Sequence, residues 1–483
     1  MNLLKDLQPE RVFYYFEELT KIPRCSFDEQ RVSDYLKSVG EGLGLEVIQD
    51  KALNIIIKKP GTKGYEDKPI IVLQGHMDIV CEKSDNIEFD FKKDSIRLSL
   101  EGDFVMAKDT TLGGDNGIAV AMSLALLESK DIPHPPLEVL VTTNEETGLT
   151  GAAALDPAFI DGRILINIDS EEEGTILVSC AGGERNILTI STTMTEVDSD
   201  KKAYNLRVSG LLGGHSGMEI DKGRGNSNRI LGRVLNYINE NLNFNLAYID
   251  GGSLSNAIPR LSNAKIIIDN NDTEKLTALV AEIEKSIKIE LASVEKNLSI
   301  TLDEIENIDK AFICKDKEKI IAVLMLIPTG VQSMSQDIKG LVESSNNLGV
   351  VKTVDGKVTF ECAMRSSLGS LKSNIATQLK LLSKIIGCEY LSTAAYPAWE
   401  YNKESYIREV FKTSYKELYG KEVNIAAIHA GLECGLFDEK FDKIDMISFG
   451  PNMSGVHAPG EKLSISSTVN TWNLLLKVLE NIN

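Results

Sequence analysis

The sequence predicts an α/β protein in which an open sheet with flanking helices is interrupted by a long α+β insertion. Three observations predict it. Apolar runs at residues 70–73, 137–141 and 164–168 each stop abruptly at polar side chains, as buried strands do at the ligand-binding edge of an open α/β sheet. Helical periodicity lies before and between these runs. Near residue 187 the acidic strand ends disappear and short strands alternate with surface helices, and near residue 390 the first pattern returns. Residues 1–186 and 390–483 are therefore read as one discontinuous domain and 187–389 as a domain inserted into it.

In order, residues 9–19 (Val12, Phe13, Phe16, Leu19) and 27–39 (Val32, Tyr35, Leu36, Val39) have helical spacing. Residues 45–48 and 54–57 read as strands, and 60–69 as a turn before the strand that ends at Gly75-His76-Met77-Asp78. A connection rich in Asp, Lys and Glu leads to Gly113-Gly114-Asp115-Asn116-Gly117 and an apolar helix over 118–127, with Asp115 at its N-terminus, where a carboxylate is favoured. The strand at 137–141 ends at Thr143-Asn144-Glu145-Glu146, and the strand at 164–168 at Asp169-Ser170-Glu171-Glu172-Glu173. The insertion reads as two similar βαβ-type halves. Its strands are 204–208, 245–248, 264–268, 298–302 and a hairpin of 348–354 with 357–364 through Asp355-Gly356; its helices are 227–239, 273–291, 317–326 and 370–386. A helix at 405–419, the stretch 423–435, a strand at 446–449, a loop carrying His457 and a helix at 467–479 complete the chain.

The 483 residues suffice for two or three cores, and 42% hydrophobic with 25% charged residues is ordinary for a globular protein. A formal net charge of −19 argues against nucleic acid or an anionic membrane as partner. No apolar run is long enough to span a bilayer, and the first ten residues carry charge where a signal peptide has its apolar core. The seven cysteines are scattered, without a CxxC pair, so free thiols in a cytoplasmic protein are expected.

The strand ends bring together His76, Asp115, Glu145, Glu146 and Asp169, with His457 from the late loop. Alone, a His-x-Asp pair reads more readily as a surface loop than as a metal site, and Asp115 as a helix cap. Together, two imidazoles and three carboxylates are what two borderline divalent cations require when one carboxylate bridges. Two such cations balance three ligand carboxylates and a bridging hydroxide. One carboxylate is left over to serve as general base, and in extended backbone Glu145 and Glu146 would point opposite ways, one to metal and one to substrate. Asp78, two residues from His76, can hold its second ring nitrogen.

Gly-His-Met-Asp (75–78), Gly-Gly-Asp-Asn-Gly (113–117), Thr-Asn-Glu-Glu-Thr-Gly (143–148), Asn-Ile-Asp-Ser-Glu-Glu-Glu (167–173) and the late His457 resemble the co-catalytic zinc peptidases that include carnosinases and aminoacylases. With Gly-Leu-Leu-Gly-Gly-His-Ser-Gly (210–217), the whole chain is most similar to the aminoacyl-histidine dipeptidases, also called cytosolic non-specific dipeptidases. The resemblance implies a catalytic three-layer α/β/α domain with an inserted α+β lid (dimerisation) domain. It implies that His76 and Asp169 bind one metal and Glu146 and His457 the other, that Asp115 bridges, that Asp78 holds His76, and that Glu145 is the general base. It also implies a cis Asp115–Asn116 bond, an oxyanion-stabilising His215, a substrate carboxylate held by Asn256 and Arg365, and a substrate-lining loop at Gly431. Glu433 is a candidate for the substrate ammonium, with a buried structural role as its alternative; His429 and His134 are read as structural.

The expected activity is metal-dependent hydrolysis of dipeptides, including Xaa-His such as β-Ala-His, through a metal-bridged hydroxide. The expected cofactors are two divalent ions per chain, Zn²⁺ with Mn²⁺ or Co²⁺ as alternatives, and the expected assembly is a homodimer. The rival readings are a deacylase of N-acyl amino acids with the same centre and a non-catalytic binding protein on the same fold; against the latter, every position the chemistry needs holds a competent residue.

Overall fold

The computed structural model describes residues 3–483, which form two compact units. The first comprises residues 1–180, 401–427 and 432–483, and the second 181–400 with 428–431, so the divisions fall at 180/181 and 400/401 where sequence reading put 186/187 and 389/390.

The first unit is built on an eight-stranded sheet in the order Glu46–Gln49, Ile55–Lys59, Leu137–Thr142, Ile71–His76, Ile164–Asn167, Asp445–Ser448, Thr175–Cys180 and Asn424–Ile428. The four strands from Leu137–Thr142 to Asp445–Ser448 run parallel. They are buried on both faces, which is why they read as unbroken apolar runs. Register aligns their carboxyl ends: His76 lies opposite Thr142, Gln74 opposite Asn167, and Ser448 opposite Asn167. The helix Gly114–Glu128 is apolar all round because it lies between the His76 strand and the helix Glu10–Thr20.

Three local expectations are corrected here. The second helix spans Gln30–Gly42; Phe27 has φ 66° and gives its N–H to Asn144 Oδ1, so the chain cannot be helical there. The charged connection before residue 113 contains a hairpin, Leu98–Glu101 with Phe104–Ala107, whose signal was present in the alternation of Ile96, Leu98 and Leu100 with polar residues before Gly102 but was masked by the charged residues ahead of it. Cys25 and Cys81 are joined by a disulfide with a Cα separation of 5.7 Å, against the expectation of free thiols throughout. A parallel bridge between Cys25 and Ile79 brings the two together, a contact that cysteine spacing does not reveal.

The second unit has a nine-stranded sheet, antiparallel at every neighbouring pair. Each half is a β-α-β-β-α-β unit. The first contains Lys202–Ser209, Ser227–Asn241, Asn245–Gly251, Ser262–Ile268, Thr273–Leu291 and Ser299–Ile305; the second contains Gly182–Ser191, Cys314–Leu326, Val342–Val354, Lys357–Ser366, Gly369–Ile386 and Glu389–Tyr396. In each half a third strand lies between the two that the first helix connects, so the expected βαβ units are split ones. The halves meet edge to edge where Asp250 and Gly251 pair with Lys352 and Val351. Apolar side chains from both sheet and helices fill one continuous core.

Candidate metal centre and substrate-binding residues

In the first unit, Asp115 spans two histidines. Its Oδ1 lies 3.0 Å from His76 Nε2 and its Oδ2 3.1 Å from His457 Nε2. His76 Nε2 is also 3.4 Å from Asp169 Oδ1, and His457 Nε2 is 3.0 Å from Glu146 Oε2. The cluster therefore divides into a His76–Asp169 side and a His457–Glu146 side that share Asp115. Ligand atoms of His76, Asp115 and Glu146 all lie within 4.8 Å of one another, and Glu146 Oε1 is buried without a partner. Two imidazoles and three carboxylates with one orphaned oxygen fit divalent cations of borderline softness.

The electrostatics tell the same story. Burial alone would push His76 towards neutrality, but Asp169, Asp115 and Asp78 raise its pKa well above the ordinary value. His457 is pushed up to about 11 by its bonds to Asp115 and Glu146. Burial works against the charge on Asp115, yet the two imidazoles hold its carboxyl well below the usual range. Burial lifts Asp169 to about 7 and raises Glu145 well above the carboxylate range, with neighbouring carboxylates adding to both.

Asp78 is fully buried and does more than orient His76. Its main-chain carbonyl bonds His76 Nδ1 at 3.1 Å, and its carboxylate Oδ1 lies 3.4 Å from the same nitrogen and accepts the Glu145 N–H at 3.0 Å. Its Oδ2 accepts the Ser26 hydroxyl at 2.8 Å and the Glu146 N–H at 3.3 Å. Glu145 and Glu146 lie in a turn closed by Gly148 and Leu149 N–H on Glu145 O, not in the extended backbone used above to separate their roles. Asn116, after a cis peptide bond, accepts the His76 N–H at 3.1 Å and donates to Ile168 O at 2.6 Å, tying two ligand-bearing strands together.

Glu433 has no exposed surface. Its Oε2 accepts from Gln74 Nε2 at 2.6 Å and Thr142 Oγ1 at 2.7 Å, beneath the strand ends, and burial lifts its pKa to about 8. Its Oε1 is buried without a partner, and because no part of the side chain is exposed, the position matches the buried alternative and not a solvent-facing site for the substrate ammonium.

In the second unit, His215 is in the short strand Gly214–His215, opposite Ala257, and Ser216 N–H bonds Asn256 O. The exposed Asn256 is thus adjacent to His215 in the fold. His215 Nδ1 accepts the N–H groups of Gly217 at 3.3 Å and Met218 at 3.0 Å. Burial, with Arg365 nearby, lowers its pKa and favours the neutral ring, and the two bonds accepted at Nδ1 leave the proton on Nε2. A Cβ on Gly217 would meet His429 O at 2.5 Å, His215 Cε1 at 3.0 Å and Arg365 Nε at 3.2 Å, so only glycine lets these three gather. Arg365 Nη1 donates to Tyr396 OH at 2.9 Å while its Nε is buried and unpaired, and Gly431 packs on the Tyr396 ring. His429 bonds Ser345 Oγ at 2.7 Å, and burial lowers its pKa to about 4. Buried His134 bonds its neighbour's carbonyl, Pro135 O, at 2.7 Å.

Residues 206–295 match the peptidase dimerisation domain. The chain is 39% identical over 482 residues, spanning 100% of itself and 99% of the relative, to the cytosol non-specific dipeptidase of Escherichia coli. The structure superposes on aminoacylhistidine dipeptidase from Vibrio alginolyticus with a TM-score of 0.95 at 38% identity, covering 99% of this chain and 98% of that one. Aminopeptidase PepT from Bacillus cereus shares the fold, with a TM-score of 0.58 at 16% identity and 99% of each chain covered. The chain belongs to the family of the cytosol non-specific, or aminoacyl-histidine, dipeptidases.

Proposed function

We propose that the chain hydrolyses dipeptides, Xaa-His among them, using two divalent cations held by His76, Asp169, Glu146 and His457 with Asp115 between them. The observation that carries this reading is Asp115 itself: each of its oxygens faces a different histidine, and each histidine faces a further carboxylate. When bound, the cations polarise the scissile carbonyl and acidify water. Zn²⁺ is the expected ion, with Mn²⁺ and Co²⁺ suited to the same donors.

The chain's own groups supply the rest. Glu145, whose buried carboxyl has a raised affinity for protons, takes one from the attacking water and returns it to the leaving amine. Its backbone N–H on Asp78 anchors the turn that carries it. His215 donates Nε2–H to the developing oxyanion, the tautomer that its two Nδ1 bonds favour. Arg365 meets the substrate carboxylate with its guanidinium, helped by Asn256, and the Gly431 loop lines that position. The inserted unit serves as lid and dimerisation domain; the family match at residues 206–295 favours a homodimer. Cytoplasmic placement follows the relative named for the cytosol, and among the described residues no helix is long and apolar enough to cross a membrane.

Glu145→Ala tests the proton-transfer role. Turnover of β-Ala-His is expected to fall by at least about a hundredfold with both cations still bound. A variant with near-parental turnover would overturn the assignment.

A further inference from the structure

The helix Gly114–Glu128 does not place Asp115 by itself. Asp115 and Asn116 have non-helical backbone angles, and no side chain caps the helix at Gly113. Two buried charged residues do the holding, from sequence positions far apart. Glu461, 2% exposed, accepts the N–H groups of four successive residues. Its Oε2 takes Leu112 at 2.8 Å and Gly113 at 3.1 Å; its Oε1 takes Gly114 at 2.8 Å and Asp115 at 3.5 Å. Consecutive amides converging in this way form an anion-binding concavity, filled here by the chain's own carboxylate.

Arg24, 1% exposed, grips the turn at the Gly113 carbonyl. Its Nη2 donates to Gly113 O at 2.8 Å and its Nη1 to Met77 O at 2.9 Å, between His76 and Asp78. A Cβ on Gly113 would lie 2.7 Å from Arg24 Nη2, and one on Gly117 2.5 Å from it. Gly113 also has φ 71°. The Gly-rich turn thus leaves room for a guanidinium as well as permitting left-handed backbone.

We propose that Arg24 and Glu461 are positioning residues that clamp the 112–115 turn at its carbonyl and its amides, and so fix Asp115 between His76 and His457. This rests on the reading of Asp115 as the bridging ligand. The clamp also joins three of the five ligand-bearing segments. Arg24 ties the turn to the His76–Asp78 stretch. Glu461 lies four residues after His457, in a loop closed by its own N–H on Ala458 O at 3.2 Å, and so ties the turn to the His457 loop. A bridging carboxylate must meet both ions at once, and sites of this kind tolerate misplacement of only about 0.5 Å.

The test uses the full chain, stripped with chelator and titrated with Mn²⁺. Calorimetry reads affinity and stoichiometry, and electron paramagnetic resonance reads the magnetic coupling of a bridged pair. Glu461→Ala and Arg24→Met are expected to weaken Mn²⁺ binding roughly 10- to 100-fold and to abolish the coupled signal. Glu461→Gln, which keeps one acceptor oxygen, is expected to fall between them and the parent. Should the truncations fail to fold, Glu461→Gln and Arg24→Lys carry the same readouts. Variants that bind two Mn²⁺ within twofold of the parent and keep the coupling would overturn the clamp, even if they melt at lower temperature. Asp115→Asn, run alongside, separates the two claims. If it loses the coupling while the clamp variants keep it, only the clamp fails. If Asp115→Asn itself retains two coupled ions, the bridging role fails and the clamp with it.

Discussion

Asp78→Asn is a severe test because the change is small and the geometry dictates its cost. Both carboxylate oxygens accept a backbone N–H, Oδ1 from Glu145 at 3.0 Å and Oδ2 from Glu146 at 3.3 Å. An asparagine amide has one acceptor and one donor end, so in either orientation its NH₂ meets an N–H that needs an acceptor. At least one buried amide then goes unsatisfied, at about 1–3 kcal/mol, and the negative charge facing His76 Nδ1 is lost. The Ser26 hydroxyl can turn to accept, so its bond need not be lost. The main-chain carbonyl that bonds His76 Nδ1 survives the change, but because the carboxylate anchors the Glu145–Glu146 turn and supplies the charge beside His76, Mn²⁺ affinity is expected to fall by about 10- to 100-fold, or about 1.4–2.8 kcal/mol. Chemical denaturation of the stripped protein reads the first quantity and calorimetric Mn²⁺ titration the second. A variant that binds both ions within twofold of the parent would refute the reasoning.

The electrostatics and the covalent structure each lead to further outcomes. With its pKa at about 11, the His457 imidazole is protonated near pH 7.5 without metal, and the carboxylates around His76 raise that ring's affinity for protons as well. Loading both ions should release protons, the one on His457 at least, read by titration in buffers of different ionisation enthalpy, and affinity should weaken as pH falls; release of none would contradict the cluster's geometry. Because the folded-state pKa of His457 lies above its unfolded value, its contribution to the stability of the stripped protein is fully present below about 6.5 and lost as pH rises through about 11. For the Cys25–Cys81 bridge, denaturation without reductant should expose five titratable thiols, rising to seven after reduction. Closing a loop with a sequence separation of 56 is worth about 4 kcal/mol in the chain-entropy model, so reduction should lower the denaturation midpoint. Seven thiols without reductant would remove the bridge, and a cytoplasmic setting would itself favour the thiol form.

What the sequence made legible was whatever depends on neighbours along the chain. A buried parallel strand must be apolar and must end somewhere, so His76, Glu145–Glu146 and Asp169 announced themselves as strand ends, and register then aligned them. What it concealed was whatever depends on contacts between distant segments. Nothing near Arg24 or Glu461 says that they hold a turn at residue 113, although the spacing of four between His457 and Glu461 was there to be noticed. Tyr396, the hydroxyl that receives Arg365, gave no local signal either. The Cys25–Cys81 pair and the burial of Glu433 are of the same kind. The opposed directions of Glu145 and Glu146 were argued from extended backbone, whereas the observed turn is set by Asp78 accepting both of their amides, a side-chain role that periodicity does not encode.

The most direct measurement is hydrolysis by the stripped and metal-reloaded protein across β-Ala-His, Gly-His, Leu-Leu, a tripeptide and an N-acetyl amino acid. Activity on the dipeptides that disappears with chelation and returns at two equivalents of Zn²⁺ or Mn²⁺ per chain, with the tripeptide and acetyl compound left intact, is the expected result. Cleavage of the acetyl compound alone would make the protein a deacylase. Dipeptide cleavage that survives complete removal of metal would contradict the central claim that His76, Asp115, Glu146, Asp169 and His457 do their work by holding two cations.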